Sequence, residues 1–434
     1  MRIARTIRPH VLAGLAILIS LGVARAGEPI DVYGGTIKHK LLLESYAQAT
    51  KVADSNDNPG NQVARLAERS LTVELRPDLH FASDILDLRI RPRGRGQENQ
   101  VVSGGVTGRD WTTEAYVNEW SVRFTPTDSL AISAGREVLL WGPAQSFSPS
   151  NPFYTNNGRS NPYLELGGKD LFKGVYFPAS GWTFSYIDNF GKGRDEPPPL
   201  ESFHHTRVLK LDHTGEQAYW SVNYAFIEGT PARIGLLAQR TISDALLTYA
   251  EGGYSRYRTQ YRPESDGSGG SRLAPPSGGG LSGLGVLGLA YTLQAGPTVS
   301  FEYVYNNQGW TDSEASDYQL LTQAAAQQLA AGGPLTGSAM QQLARGVQPG
   351  SPLLRRHYLF VQYLHQNLMK NLNLVVRLTR NIDDNGMRGG PILEWRVGNR
   401  FKLFALGVFA TGGAHTEFGR YVVRQGFVGL ETNF

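Results

Sequence analysis

Residues 71–94 read Leu-Thr-Val-Glu-Leu-Arg-Pro-Asp-Leu-His-Phe-Ala-Ser-Asp-Ile-Leu-Asp-Leu-Arg-Ile-Arg-Pro-Arg-Gly, and this stretch decides the fold. Val73, Leu75, Pro77, Leu79 and Phe81 recur at every second position, with Thr72, Glu74, Arg76, Asp78 and His80 between them. After the turn Ala82-Ser83-Asp84, Leu86, Leu88, Ile90 and Pro92 alternate with Asp87, Arg89, Arg91 and Arg93. A period of two places each set on one face of a strand, so the stretch is a hairpin with one apolar and one charged face. In a soluble sandwich the apolar face would form the core. In a membrane barrel it would meet lipid, and Glu74, Arg76, Asp78, Asp87, Arg89, Arg91 and Arg93 would line a watery lumen. The local pattern fits both, and the rest of the chain arbitrates.

Similar hairpins recur near 111–124 with 129–141, 171–178 with 182–189, 204–212 with 218–227, and 232–242 with 245–257. They continue at 284–293 with 298–306, 355–366 with 372–381, and 390–397 with 400–410, before a last strand at about 420–434. Short turns alternate with longer loops at 94–110, 142–170, 190–203, 258–283 and 307–354, the asymmetry of outer-membrane barrels. The segment Thr36–Gln48 adds a first strand, giving an even count of about 18, with 16 compatible with the uncertainty of strand ends. The expected fold is therefore an all-β, antiparallel transmembrane barrel over 27–434. Gly135 within the fifth strand is read either as a bulge that shifts the register or as a sign that this strand is misplaced.

Residues 1–26 read as a secretory signal. Arg2, Arg5 and Arg8 precede an apolar core from Val11 to Val23, and Ala24-Arg25-Ala26 offers small residues for cleavage after Ala26. The whole chain carries 42 Lys+Arg and 38 Asp+Glu; the signal holds four Arg and no acid, so the remainder balances at 38 against 38. The basic surplus thus belongs to the leader and argues against a nucleic-acid partner. The chain has no cysteine, which suits an oxidising envelope compartment.

The final run Gly426–Phe434 places Val428, Leu430 and Phe434 on one face. It resembles the assembly signal of bacterial outer-membrane barrels, which implies recognition by the barrel-assembly machinery and a setting of outer-membrane lipids and lipopolysaccharide. Gly135-Arg136-Glu137-Val138-Leu139-Leu140-Trp141-Gly142-Pro143, leading into Ser148-Pro149-Ser150-Asn151-Pro152, resembles porin-like outer-membrane proteins. The alginate-export type is among them, and the Trp-Gly-Pro is also similar to capsule-assembly (Wzi-like) barrels. The resemblance implies either a channel for hydrophilic solutes or a polysaccharide, or a barrel without an open pore that assembles or anchors surface polysaccharide.

Three segments bear on passage. The loop 142–170 is rich in Pro and carries Asn151, Asn156, Asn157, Arg159, Asn161 and Asp170; it either folds inward as a constriction or packs outside. Trp141 suits an interfacial aromatic belt. The Ala-, Gln- and Leu-rich runs at 317–331 and 338–345 read as helices, forming either an exposed loop or a lid. The Gly/Ser/Pro-rich 258–283 reads as a flexible surface tip. The Arg89, Arg91 and Arg93 ladder either draws anions or pairs internally with Glu74, Asp78 and Asp87.

Other chemistry is sparse. His204, His205 and His213 lack a completing set of metal ligands, and Asp383-Asp384-Asn385-Gly386 reads as a turn. No catalytic triad motif, phosphate loop or dinucleotide fingerprint is present, so neither an enzyme nor a cofactor is expected.

Overall fold

The computed structural model describes residues 28–32, 34–194, 203–265, 271–276, 280–347 and 352–434. The expected signal at 1–26 lies outside them. Eighteen strands close into one antiparallel ring: β1 (Gly35–Val52), β2 (Ala67–Ala82), β3 (Leu86–Ser103), β4 (Val106–Thr127), β5 (Leu130–Glu137), β6 (Lys169–Tyr176), β7 (Trp182–Gly191), β8 (Thr206–Thr214), β9 (Ala218–Ile227), β10 (Arg233–Ser243), β11 (Leu246–Ser255), β12 (Ser282–Thr292), β13 (Thr298–Asn306), β14 (His357–Met369), β15 (Leu372–Asn381), β16 (Met387–Val397), β17 (Phe401–Thr411) and β18 (Val422–Asn433). Each strand pairs with its neighbours in sequence, and β18 closes the ring on β1 with Leu42 opposite Asn433 and Thr50 opposite Gln425. The Phe434 amide donates to Leu41 O at 2.9 Å. A short strand, Ile30–Val32, pairs with the foot of β1.

The ring turns its apolar side chains outward. Leu71, Val122, Phe184, Leu236, Leu287 and Leu403 are all exposed, which in water would cost far more than isolated apolar residues do. Tyr176, Trp182, Trp220, Tyr291, Trp395 and Phe401 gather near the short-turn end, and Tyr224, Phe226, Tyr303, Tyr305 and Phe409 near the loop end. An apolar band between two aromatic girdles is the surface of a barrel that spans a bilayer. No helix among the described residues is long and apolar enough to cross a membrane.

Residues 94–110, expected as a loop, instead extend β3 and β4 as a ribbon joined by Gly104-Gly105. Both glycines have positive φ (57° and 77°), as a two-residue hairpin turn of mirror-image type requires. These strands run for 18 and 22 residues, well beyond the ~9–11 that cross a bilayer. Above the membrane neither face needs to be apolar, so alternation ends although the ladder continues. Pairing passes through Gly135 without a shift, with Ser121 opposite Gly135 and Trp120 opposite Arg136. The irregularity in that pair lies between Phe124 and Thr127. β5 stops at Glu137, short of the expected 141.

The loop between β13 and β14 forms a helical cap: α1 (Asp312–Ala331) and α2 (Thr336–Val347). A capping box starts α1, in which Glu314 N donates to Thr311 and the Glu314 side chain accepts from Thr311 N at 2.8 Å. Trp310, Tyr318, Leu321 and Leu354 pack around Leu273, so the segment expected as a free tip is instead partly buried beneath the cap. Leu343 and Ala339 pack toward Val63 of the β1–β2 loop. The Tyr318 hydroxyl donates to Asp57, which also pairs with Arg420 at 3.2 Å, tying the cap to the loops beside β1 and β18.

Candidate functional site

Residues 138–168 leave the top of β5 and fold down inside the barrel as a strap. Its first part, Leu139, Trp141 and Phe153, packs on the inward Leu171, Ile187, Val208 and Ala225 of β6–β9. Trp141 therefore faces the interior, not the lipid belt expected of it. Its ring meets Phe153 edge-on at 6.2 Å, and its indole N–H donates to Ser150 Oγ at 3.1 Å. Apolar burial within the lumen outweighs the interfacial preference of the ring.

The second part lies against β10–β13. Two inward carboxylates hold it by its backbone. Glu251 accepts from Ser150 N at 3.1 Å and Ser150 Oγ at 2.7 Å. Glu302 accepts from Gln145 N at 2.5 Å, Ser146 N at 3.0 Å and Tyr249 Oη at 2.6 Å, and also from Ser146 Oγ. Even at the ~0.5–1.5 kcal/mol of an ordinary hydrogen bond, these contacts together form a firm clamp. The approach is close enough to require glycine: a Cβ at Gly253 would lie 1.8 Å from Pro149 O, and one at Gly235 2.3 Å from Ser150 O.

The third part reaches the opposite wall. Arg76 joins Glu44 at 2.8 Å and Glu74 at 3.0 Å, and donates to Tyr163 O at 3.0 Å. Arg93 grips Glu165 with Nε and Nη2, both at 2.8 Å, and Asp78 with Nη1 at 2.9 Å. Burial alone would raise the Glu165 carboxyl. The Arg93 hydrogen bonds, with the charges of Arg93, Arg76 and Arg194, outweigh it and hold the group below its ordinary value.

The residues singled out from sequence thus fall into different surroundings. Glu74, Arg76, Asp78, Asp87, Arg89, Arg91 and Arg93 share the interior face of β2 and β3. Arg91 pairs with Glu119 at 2.6 Å, and Asp87 lies 2.5 Å from His80. The ladder is thus largely paired internally; Arg89 has no carboxylate partner among the described residues. Asn151, Asn157 and Asn161 fold the strap onto itself, accepting from Phe153 N (2.9 Å), Arg159 N (3.1 Å) and Tyr163 N (3.1 Å) respectively. Asn156 likewise accepts from Gly158 N at 3.0 Å, and Arg159 donates to Ala144 O at 2.6 Å. Asp170 is not in the strap: it sits in β6 and pairs with Arg136 at 2.7 Å. Val428 and Phe434 are exposed on the outer wall and Leu430 half-buried. His205 pairs with Asp188 while His213 stacks on Trp220, and no group of described residues is arranged to hold a metal.

Sequence reading passed over Glu251, Glu302, Tyr163 and Phe404. Glu251 and Glu302 were nevertheless visible as isolated acids on the inward period of apolar strands. Arg377 and Arg388 also face the interior, on neighbouring strands with Thr379 opposite Arg388. Arg377 donates to Gln362 at 2.8 Å, and neither arginine forms an ion pair among the described residues.

Solved structures now give this architecture its context. Pseudomonas aeruginosa OccK5 (OpdH) superposes with a TM-score of 0.53 at 9% identity, over 92% of this chain and 98% of that one. The fold is porin-like. P. aeruginosa OccK7 (OpdD) aligns with a TM-score of 0.53 at 10% identity, over 92% and 98% of the two chains. Acinetobacter baumannii OccAB1 gives 0.52 at 11% identity, over 92% and 96%. No family model and no curated protein matches the sequence.

Proposed function

We propose that the protein is a diffusion channel of the bacterial outer membrane for small hydrophilic solutes. The observation that carries this reading is the strap, fastened to opposite walls of an 18-strand ring that would otherwise hold a wide aqueous lumen. Export with removal of residues 1–26, and barrel assembly directed by Phe434, Leu430 and Val428, belong to the same proposal. A crossed lumen favours small solutes over a polysaccharide chain. Among the described residues Arg89, Arg159, Arg377 and Arg388 form no ion pair, whereas Glu74, Asp78, Glu119 and Glu165 are each paired with arginine, which supports a slight preference for anions.

Planar-bilayer recording tests the reading. Discrete conductance steps are expected, with a reversal potential in a salt gradient on the anion side. Shortening the strap between Gln145 and Asn161 enlarges the steps. Cation selectivity overturns the anion preference alone. Absence of any conductance in both proteins favours a plugged barrel that anchors surface polysaccharide.

A further inference from the structure

The inner wall above the strap carries a surface that plays no part in the anion preference. On β18, β1, β2 and β3 the inward residues at this height are Gln425, Thr50, Gln48, Ser70, Asn99 and Gln97. The registers join them into one row: Gln425 stands opposite Thr50, Gln48 opposite Ser70, and Ser70 opposite Asn99. Below it the same face presents Tyr46, Glu44 and Glu74, at the level where Arg76 holds Tyr163 of the strap. A solute entering from the long-loop side therefore meets the row before the constriction.

None of the six is charged, and their hydrogen bonds leave one side of each amide free. Gln48 Nε2 and Gln425 Nε2 both donate to Thr50 Oγ1, at 3.0 and 3.1 Å, and Gln97 Nε2 donates to Asn99 Oδ1 at 2.9 Å. The amide oxygens of Gln48, Gln97 and Gln425 and the amide nitrogen of Asn99 have no hydrogen-bond partner among the described residues. These four side chains are half-buried, so the free groups face the water of the lumen. Thr50 and Asn99 already hold three of the amides in place, and little side-chain freedom is lost when a solute docks.

A wall of several acceptors and a donor matches vicinal hydroxyls, each of which donates one hydrogen bond and accepts others. A carboxylate only accepts, and would set its oxygens against three amide oxygens. Asp110, opposite Asn99 at the upper edge, adds a further acceptor. Below the row Glu74 is shared between Arg76 at 3.0 Å and Arg95 at 3.9 Å, which engages those cations within the wall.

We propose that this row is a recognition surface for neutral polyhydroxylated, sugar-like solutes. It binds them weakly at the entrance to the constriction and so raises their flux, since passage needs binding firm enough to enter and loose enough to leave. The inference rests on the channel reading and adds the class of solute to it.

The test is osmotic swelling of proteoliposomes in dilute arabinose or triethylene glycol, neutral solutes of nearly equal mass that differ in how many hydroxyls they carry. Rates in protein-free liposomes are subtracted. Arabinose is expected to enter about five-fold faster through the wild type, the factor equivalent to the ~1 kcal/mol of one net hydrogen bond. Gln48→Met combined with Gln97→Met keeps the bulk of both side chains, removes their amides and brings the two rates together. Each single change lowers the ratio about two-fold, so the single variants decide should the double variant fail to insert. Gln239→Met, inward on β10 and far around the ring, leaves the ratio unchanged. Equal rates in the wild type, a wild-type ratio in the Gln48 and Gln97 variants, or an equal fall in Gln239→Met each overturns the proposal. Salt conductance is recorded on the same preparations. A wild type without conductance defeats the channel reading, whereas conductance with no preference for arabinose defeats this inference alone.

Discussion

The ring of Tyr163 lies flat on that of Phe404, with centroids 3.6 Å apart and planes 10° from parallel. Tyr163 belongs to the strap and Phe404 to β17, so this stack fixes the far end of the strap to the wall opposite its clamps on Glu251 and Glu302. The Tyr163 hydroxyl donates to Glu394 at 2.7 Å. Burial first, and then Glu394, raise its pKa well above the tyrosine range, so it remains a donor at any physiological pH. Truncation of a buried aromatic costs ~3–5 kcal/mol. Tyr163→Ala is expected to lower the thermal unfolding temperature and to make single-channel current larger and noisier. Tyr163→Phe keeps the stack and shifts conductance little.

Glu165 gives the strap an acid sensitivity. Its folded-state pKa lies below the ordinary 4.5, so its contribution is complete above about 4.5 and is lost as pH falls through the lowered value. Conductance is expected to be steady from pH 8 to 5 and to rise at more acidic pH. Glu165→Gln leaves the Arg93 guanidinium, only 3% exposed, without its bidentate partner; breaking a buried pair in this way costs ~3–5 kcal/mol. That variant is expected to show raised conductance at neutral pH and no acid step. A wild-type acid step persisting in Glu165→Gln would assign the sensitivity elsewhere.

Gly253 tests the closeness of the strap to the wall. Gly253→Val places methyl groups where Pro149 O now sits, and overpacking of this kind costs ~1–3 kcal/mol. The barrel is expected to assemble while residues 145–152 become protease-accessible. Continued protection of that segment would show that the strap tolerates displacement.

The cap has its own pH dependence. Glu417, in the β17–β18 loop, is buried and accepts from Leu354 N (2.9 Å), Tyr358 Oη (2.5 Å) and Asn381 Nδ2 (2.8 Å), with Asp384 and Arg420 nearby. Desolvation is the largest influence and exceeds those donors, raising its pKa to about 7. A raised carboxyl contributes stability that is complete below about 4.5 and fades as pH rises through about 7. Hydrogen exchange of α1, corrected for intrinsic rates, is expected to quicken between pH 6 and 8. Glu417→Gln flattens that profile, and an unchanged slope in the variant excludes Glu417 as the cause.

The wall of this protein was legible in its sequence. Period-two alternation at 71–94, repeated along the chain, fixes which side chains face out, and the parity of short turns and long loops demands the even ring that β1 completes. Those features are local, because a strand presents its two faces whatever surrounds it. The ribbon over 94–110 escaped because Gln97, Glu98, Asn99 and Gln100 are polar on both faces. The Gly104-Gly105 pair was its one readable signal.

The interior was decided by tertiary structure. Asn151, Asn157 and Asn161 read only as polar members of a loop that folds inward or packs outside; that they bond to the strap's own backbone was not visible in their spacing. Trp141 read as a membrane anchor, and its ring packs in the lumen instead. Glu251 meets Ser150 across 101 residues of chain, and Glu302 meets Gln145 across 157. Nothing in the spacing of either acid names its partner. Sequence alone determined the barrel, since alternation and turn chemistry act between near neighbours. The strap's path, its clamps and the charges left unpaired depend on desolvation and hydrogen bonding between distant segments, which arise only once the ring has closed.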